Sequence, residues 1–178
     1  MHNMDINQFI IDVNAVNWRT FTDVPSRLKA LALADKESRE GIDFRIKGEG
    51  FDLLLNAKIK SGVLDAIGNN HCGSYCQVVE DTLPFIIEVA LYGNHVVARN
   101  CAINALIDLY SFCPDVDTSD DLESIVKGTI RDAISKNKAN FMKFADDDKR
   151  NISLIHDSLM SIIDEGCRAG DTNPIDIW

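Results

Sequence analysis

The chain has 178 residues, a formal net charge of −10 and a pI near 4.7, and 46% of its residues are hydrophobic. This length and composition are typical of one globular domain spanning 1–178, and they exclude a disordered or fibrous chain. The negative charge argues against nucleic acid and anionic lipid surfaces as partners. It favours a basic protein as the partner.

The sequence also bears on the compartment in which the protein works. The opening residues MHNMDINQFIIDVN lack the basic region of a secretory signal peptide, and no apolar stretch reaches the roughly 20 residues that span a bilayer. The five cysteines form an odd, unevenly spaced set, which favours reduced thiols. We therefore expect a cytoplasmic protein without a membrane segment.

Apolar residues recur at helical spacing along the chain, whereas the alternation typical of strands never extends beyond a few residues. Residues 22–25 supply a capping residue and a proline for a helix that ends near Ala34. A second helical stretch is predicted to bury Ile42 and Ile46, and it ends at the glycines that follow. These patterns predict an all-α fold.

Two longer helical patterns follow in the middle of the chain. Residues 51–67 place apolar side chains on one face, and the sequence Gly-Asn-Asn at 68–70 ends that helix. Residues 83–91 are predicted to form the next helix, which is entered through Thr82 and Pro84 and ended by Gly93 and Asn94, which suit a left-handed C-terminal cap.

Residues 96–112 predict the clearest amphipathic helix of the chain. Its apolar stripe consists of Ala98, Cys101, Ala102, Ala105, Leu106 and Leu109. Its opposite, polar side carries Asn100, Asn104, Asp108 and Ser111. This side is either a solvated face or, if helical hairpins stack, part of a continuous binding surface.

The C-terminal third contains an acidic loop and further helices. Residues 113–121 read as a loop in which Ser119 or Asp120 caps the next helix, whose apolar positions run from 122 to 134. A shorter helix is predicted at 141–145 and a last long one at 152–163. Paired helices with short corners predict stacked helical hairpins.

Two segments resemble the HEAT-repeat pattern of helical hairpins: VPSRLKALALADKESRE and LPFIIEVALYGNHVVARNCAINALIDLY. The resemblance implies a short α-solenoid of stacked hairpins, with its clearest repeats at about 24–47 and 82–112. Small alanines allow close approach of the two helices, and Arg99 is expected to bond carbonyls or carboxylates at the corner.

The stretch 24–109 is also similar to small bacterial HEAT-like proteins that carry His-x-Gly-Ser/Thr before a Pro-Phe helix, here at 71–74. Such proteins occur as immunity proteins in contact-dependent growth inhibition and other toxin systems. The resemblance implies a binding protein that neutralises a cognate bacterial toxin, such as a nuclease, by occluding its active site. Catalytic residues are not expected.

The sequence HCGSYC at 71–76 has three interpretations. A structural zinc site would need a second Cys/His pair at suitable spacing, which the sequence lacks, and a cysteine nucleophile would need a histidine base nearby in space. The third interpretation is a turn at Gly73, after which Tyr75, Val78 and Val79 begin to cover the core. We favour the turn, and we expect no metal and no cofactor.

The candidate partner-binding residues lie on the polar side of the amphipathic helix and in the acidic loop. They are Asn100, Asn104, Asp108, Asp115, Asp117, Asp120 and Asp121. The loop imitates the start of a calcium-binding loop but lacks the glycine and the final glutamate of that motif. Dense carboxylates of this kind are either solvated surface or a means of attracting a basic protein.

Two other classes of function remain open at this stage. One is a general scaffold or regulatory module without a toxin as its target. The other is an enzyme built on helical repeats, for which HEAT-like DNA glycosylases set a precedent, although such enzymes need a basic groove. The oligomeric state is also open.

Overall fold

The computed structural model describes residues 3–35, 60, 62–69, 74–110, 113–114, 121–141, 161 and 164. Its helices are α1 (Ile6–Ala15), α2 (Val24–Ala32), α3 (Val79–Tyr92), α4 (Val96–Tyr110) and α5 (Leu122–Lys136). Residues 62–67 and 138–141 are helical as well. The described part is mostly helical, which confirms the predicted all-α class.

A small sheet accompanies the helices and was not predicted. Its strands are β1 (Gly68–Asn69), β2 (Ser74–Tyr75) and β3 (Cys113–Pro114), in the order β1-β2-β3. The first pair is antiparallel and the second is parallel. Strands of two residues are too short to produce an alternating pattern, so periodicity could not reveal them.

Helix α4 lies at the centre of the described fold. It packs most extensively against α3 and also contacts α2 and α5. The predicted stripe is buried in full, at Ala98, Cys101, Ala102, Ala105, Leu106 and Leu109. Asn100 and Ile103 are buried too. The helix is therefore covered on more than its apolar side, which corrects the placement of Asn100 on an uncovered polar side.

Helix α3 begins four residues earlier than predicted, at Val79 instead of Leu83. Val79 is fully buried, and the Oγ1 atom of Thr82 donates a 2.8 Å hydrogen bond to the carbonyl oxygen of Val78. Pro84 consequently lies inside the helix. A proline near the start of a helix removes one backbone hydrogen bond, and the burial of apolar side chains in the first turn offsets this loss.

Helix α1 was missed by the sequence analysis. The Oδ1 atom of Asp5 caps it by accepting hydrogen bonds from the backbone nitrogens of Asn7 and Gln8, at 3.0 and 3.2 Å. Phe9 and Val13 form its buried face. An aspartate cap followed by apolar residues at i, i+4 spacing was the available signal.

Two contacts fix α1 against α3. The ring of Phe9 meets the ring of Phe85 edge to face, with 5.7 Å between centroids, and the Met4 nitrogen donates to the Tyr92 carbonyl oxygen at 2.9 Å. Beyond α1, the Nε1 atom of Trp18 donates to the Val13 carbonyl oxygen at 2.7 Å. The first two contacts tie the N-terminal segment to the hairpin of α3 and α4, while the Trp18 bond fixes the chain that follows α1.

The helix caps differ in detail from the predicted ones. Asp23 occupies the N-cap position of α2 but makes no side-chain cap hydrogen bond, and the same holds for Asp121 at α5. The predicted cap residues of α5, Ser119 and Asp120, lie outside the described residues. Among the described N-caps of α1, α2, α3 and α5, only that of α1 makes a side-chain hydrogen bond. At the end of α3, Gly93 has a φ of −49°, so the left-handed cap predicted there is wrong.

Several predicted elements fall outside the described part of the chain. They are the stretch with Ile42 and Ile46, most of the helix at 51–67, and nearly all of the helix at 152–163. The end of the second of these is helical at 62–67, as predicted. Of the short helix predicted at 141–145 only Phe141 is described; it is buried and helical, like residues 138–140 before it.

Candidate interaction surface

Of the first two residues on the predicted polar side, one is buried and the other is half-buried. Asn100 is only 8% exposed, and the half-buried Asn104 donates from Nδ2 to the Asn100 carbonyl oxygen at 3.0 Å. The description of this side as opposite to the core is therefore wrong at Asn100. A contact of either residue with a partner stays a prediction, with little surface available at Asn100.

Asp108 lies one turn beyond Asn104 and forms an ion pair. Its Oδ2 atom is 2.8 Å from the Nζ atom of Lys60, with the two side chains 36% and 22% exposed. An ion pair of this exposure contributes about 1 kcal/mol or less to stability. It does, however, neutralise the carboxylate that was expected to face a partner.

The surroundings of this ion pair include two buried groups that keep their protons. Burial, and then the carboxylates of Asp108 and Asp65, raise the pKa of Tyr75 to about 12. Burial raises the pKa of the Cys101 thiol to about 12 against a smaller opposing effect of Lys60. A thiol held neutral in this way is a poor nucleophile, so Cys101 acts as a packing residue.

The acidic loop predicted at 113–121 is described only at its two ends, and the loop assignment is wrong at Cys113 and Pro114, which form β3. Asp121 is exposed at the N-terminal end of α5, where a negative charge interacts favourably with the helix dipole. Asp115, Asp117 and Asp120 lie outside the described residues. The role of this loop in binding stays a prediction.

The sequence HCGSYC is described only in its second half. Ser74 and Tyr75 form β2, and Tyr75, Val78 and Val79 are buried, as the turn interpretation predicted. His71, Cys72 and Gly73 lie outside the described residues. Within the ranges that are described, no group of three or more His, Cys, Asp or Glu side chains is placed to hold a metal ion.

Most cations near the core are engaged by other groups of the chain. Arg99 donates from Nη1 to the Gly93 carbonyl oxygen at 2.7 Å, and Arg131 donates from Nε to the Tyr110 hydroxyl at 2.8 Å. The Arg131 guanidinium also lies over the Tyr110 ring, 5.5 Å from its centroid. Lys127 pairs with Glu123 on α5.

Carboxylates dominate the exposed charges of the described residues. The exposed acidic residues are Asp5, Asp12, Asp23, Asp65, Asp81, Asp121, Asp132 and Asp164, and the exposed lysines and arginines are Arg19, Arg27, Lys136 and Lys138. The described surface therefore has a negative excess of charge, like the chain as a whole. This surface is suited to cations rather than to phosphates.

One acidic region was not singled out by sequence reasoning. Helices α1 and α3, which meet at Phe9 and Phe85, contain no lysine, arginine or histidine. Burial, and then the nearby carboxylate of Asp12, raise the pKa of Glu88 on α3. The absence of cations from residues 6–15 and 79–92 was visible in the sequence, but only the structure shows that the two segments are neighbours.

These features define a mostly helical protein with an acidic exposed surface and a central helix covered on several sides. In the part of the chain that the structure describes, no helix has the length and apolar character needed to cross a membrane. No family model, curated protein or solved structure matches this chain.

Proposed function

We propose that this protein binds a basic protein partner and inhibits it, as an immunity protein that neutralises a cognate bacterial toxin by covering its active site. A nuclease toxin is the target that the charge favours, and the cytoplasm is the compartment in which such a toxin acts. The toxin assignment derives from the resemblance of the sequence to HEAT-like immunity proteins.

The observation that carries the proposal is a difference between the positive and the negative side chains in how many remain exposed to solvent. Arg99 and Arg131 donate hydrogen bonds to a carbonyl and a tyrosine of the same chain, and Lys60 pairs with one of its carboxylates. Many aspartates instead stay exposed. A surface of this kind attracts a basic protein and accelerates its association.

The mechanism requires no chemical step. A nuclease presents lysines and arginines to the phosphates of its substrate, so an acidic surface that pairs with them competes directly with nucleic acid. Electrostatic attraction sets the rate of encounter, while apolar contacts at the centre of the interface supply much of the affinity. Inhibition by occlusion follows from this complementarity.

We further propose that α3 and α4 form one HEAT-like hairpin of a short solenoid. Three observations support this arrangement: the close packing of the two helices, the burial of Ala98, Ala102 and Ala105, and the bond from Arg99 to the corner at Gly93. Small side chains permit the close approach, and the arginine satisfies a carbonyl at the end of α3.

The proposal is tested by co-expression with the product of the adjacent gene. We expect a tight complex at low salt, weakening as salt increases, and protection of cells from growth arrest by that product. A product that is not toxic, or that forms no complex with this protein at low salt, would contradict the proposed function. A neighbouring housekeeping operon would instead favour a general scaffold.

A further inference from the structure

We propose that the outer side of α1, together with Glu88 of α3, is the docking surface for the basic partner, with Ile11 as its apolar anchor. We call this surface the α1 face and define it by Asp5, Gln8, Ile11, Asp12 and Glu88. The inference rests on the proposed function and assigns its binding surface to a different place from the residues expected on α4 and the acidic loop.

The first argument is the sign of the charge. Helix α1 packs against α2, which carries Arg27 and Lys29, and meets α3 at Phe9 and Phe85. Helices α1 and α3 themselves carry only negative side chains, namely Asp12 on α1 and Glu80, Asp81 and Glu88 on α3. Every other named helix of the described part contains at least one lysine or arginine. The α1–α3 pair is therefore the region with the strongest uniform charge among the described helices, and it complements a lysine- and arginine-rich surface.

The second argument is the alignment of the polar groups along α1. Asp5, Gln8 and Asp12 follow one another at the three- to four-residue spacing of one helix face, and Nε2 of Gln8 donates to Oδ1 of Asp12 at 2.8 Å. Asp5 and Asp12 are exposed. The line of carboxylates is thus held in place before a partner arrives, which reduces the entropic cost of binding.

The third argument is the proximity of Asp12 and Glu88 across the two helices. Burial, and then the Asp12 carboxylate, disfavour the charged form of Glu88 and raise its pKa. A cation from a partner would relieve the repulsion between these two carboxylates. The arrangement opposes stability of the free protein and favours a complex with a cation, as is common at binding sites.

The fourth argument is Ile11. Its side chain is 59% exposed, the largest exposed fraction among the large hydrophobic residues that the structure describes. It lies three residues after Gln8 and directly before Asp12, beside the line of carboxylates. An apolar side chain here can be buried by a partner while the polar groups around it exclude water, which is the arrangement of an interaction hot spot.

Other exposed positions fit a basic partner less well. Ile125 on α5 is 43% exposed, but the same helix carries Lys127, Arg131 and Lys136. On α4, the Asp108 carboxylate is already paired with Lys60, and Asn100 is buried. Of these surfaces, only the α1 face combines an exposed apolar residue with carboxylates and no cation on its own helices.

Two peptides of equal length and charge test the surface itself. One alternates arginine and leucine, and the other alternates arginine and serine. In ¹⁵N–¹H spectra of the full-length protein at low salt, we expect the arginine–leucine peptide to shift the amide signals of residues 5–15 and 85–92 more strongly than the serine peptide. Shifts centred on α5, or an absence of shifts with both peptides, would overturn the inference.

Variants then test the individual residues. Ile11→Ser is expected to raise the Kd of the arginine–leucine peptide about tenfold, and Asp12→Asn or Glu88→Gln about threefold. Ile125→Ser is the matched control, because it removes a similarly exposed side chain from α5, and it should leave the Kd unchanged. Equal effects of Ile11→Ser and Ile125→Ser would contradict the assignment of the anchor.

Glu88→Gln separates a binding role from a structural one. If Glu88 serves the α1 face, this variant binds the peptide more weakly although its fold is more stable at neutral pH. A loss of binding that follows a loss of stability would contradict the inference.

The same variants distinguish this inference from the proposed function. If the adjacent gene product binds the wild type and the Ile11→Ser and Asp12→Asn variants equally, the surface is wrong and the function stands. If the peptide maps to the α1 face while the adjacent gene product does not bind, the function is wrong and the surface stands.

Discussion

The guanidinium group of Arg99 donates a 2.7 Å hydrogen bond from Nη1 to the backbone carbonyl oxygen of Gly93, six residues earlier, at the corner between α3 and α4. The backbone nitrogen of Gly93 in turn donates to the carbonyl oxygen of Val89 at 2.9 Å. One residue therefore both ends α3 and receives a side chain from the start of α4. This corner sets how the central hairpin closes.

The first prediction concerns Gly93→Ala. A Cβ atom at this position would lie 2.6 Å from the Val89 carbonyl oxygen and 3.2 Å from Cγ of Arg99. Because the nearest atom belongs to the backbone, we expect the free energy of unfolding to fall by about 1–3 kcal/mol. Urea unfolding followed by circular dichroism measures the change.

Gly128→Ala is the control for that substitution. Gly128 lies within α5, and among the described residues no atom other than those of its chain neighbours and the backbone of its own helix lies within 4 Å of the added Cβ. We expect a gain of about 0.5–1 kcal/mol, because alanine favours the helix over glycine. If both substitutions changed stability in the same direction, the steric explanation at Gly93 would be wrong.

The second prediction concerns the cap of α1. Asp5→Ala removes the two hydrogen bonds to the backbone nitrogens of Asn7 and Gln8 and should cost about 1 kcal/mol. Asp23→Ala, at the N-cap position of α2, removes a carboxylate that makes no capping bond and should cost much less. Thermal unfolding of the two variants at equal concentration gives the comparison.

The third prediction is a loss of stability at alkaline pH. The pKa of Cys101 rises from 9.0 and that of Tyr75 from 10.0, each to about 12, chiefly because both groups are buried. The folded chain therefore binds more protons than the unfolded chain between pH 9 and about 12. Its free energy of unfolding should fall as the pH rises through this window.

Two variants assign that loss to its sources. Tyr75→Phe should remove the part of the slope above pH 10, and Cys101→Ala the part that begins near pH 9, whatever their effects on stability at neutral pH. Urea midpoints measured at regular pH intervals provide the slopes. Slopes identical to those of the wild type would show that neither group keeps its proton in the folded state.

The fourth prediction concerns Glu88. Burial, and then Asp12, raise its pKa above the ordinary value of 4.5, so the folded chain holds this proton to a higher pH than the unfolded chain does. The stability associated with the neutral form is present below pH 4.5 and is lost as the pH rises through the higher folded pKa. Glu88→Gln should therefore raise the urea midpoint at neutral pH.

The gain from Glu88→Gln should shrink towards zero as the pH falls below 4.5, where the wild-type carboxyl is protonated in both states. Asp12→Asn should give a smaller gain at neutral pH, because it removes only the second cause of the shift. A gain that is independent of pH would indicate a packing effect and would contradict the electrostatic explanation.

Several helices could be predicted from the sequence because their apolar spacing is a local property. The predicted starts of α2 and α4 agree with the structure, and every residue of the apolar stripe on α4 is buried. The resemblance to HEAT repeats implied that Arg99 would bond carbonyls or carboxylates at the corner, and its partner in the structure is the Gly93 carbonyl oxygen. These features depend on residues within a few turns of one another.

The tertiary structure alone decided which polar residues face solvent. Asn100 is buried and Asp108 is paired with Lys60, forty-eight positions earlier, so less of the polar side of α4 is exposed than its sequence suggested. The pairing of β2 with β3 and the meeting of Phe9 with Phe85 likewise join distant segments. Periodicity reports which side of a helix is apolar, but the neighbours that cover its other side are set by long-range packing.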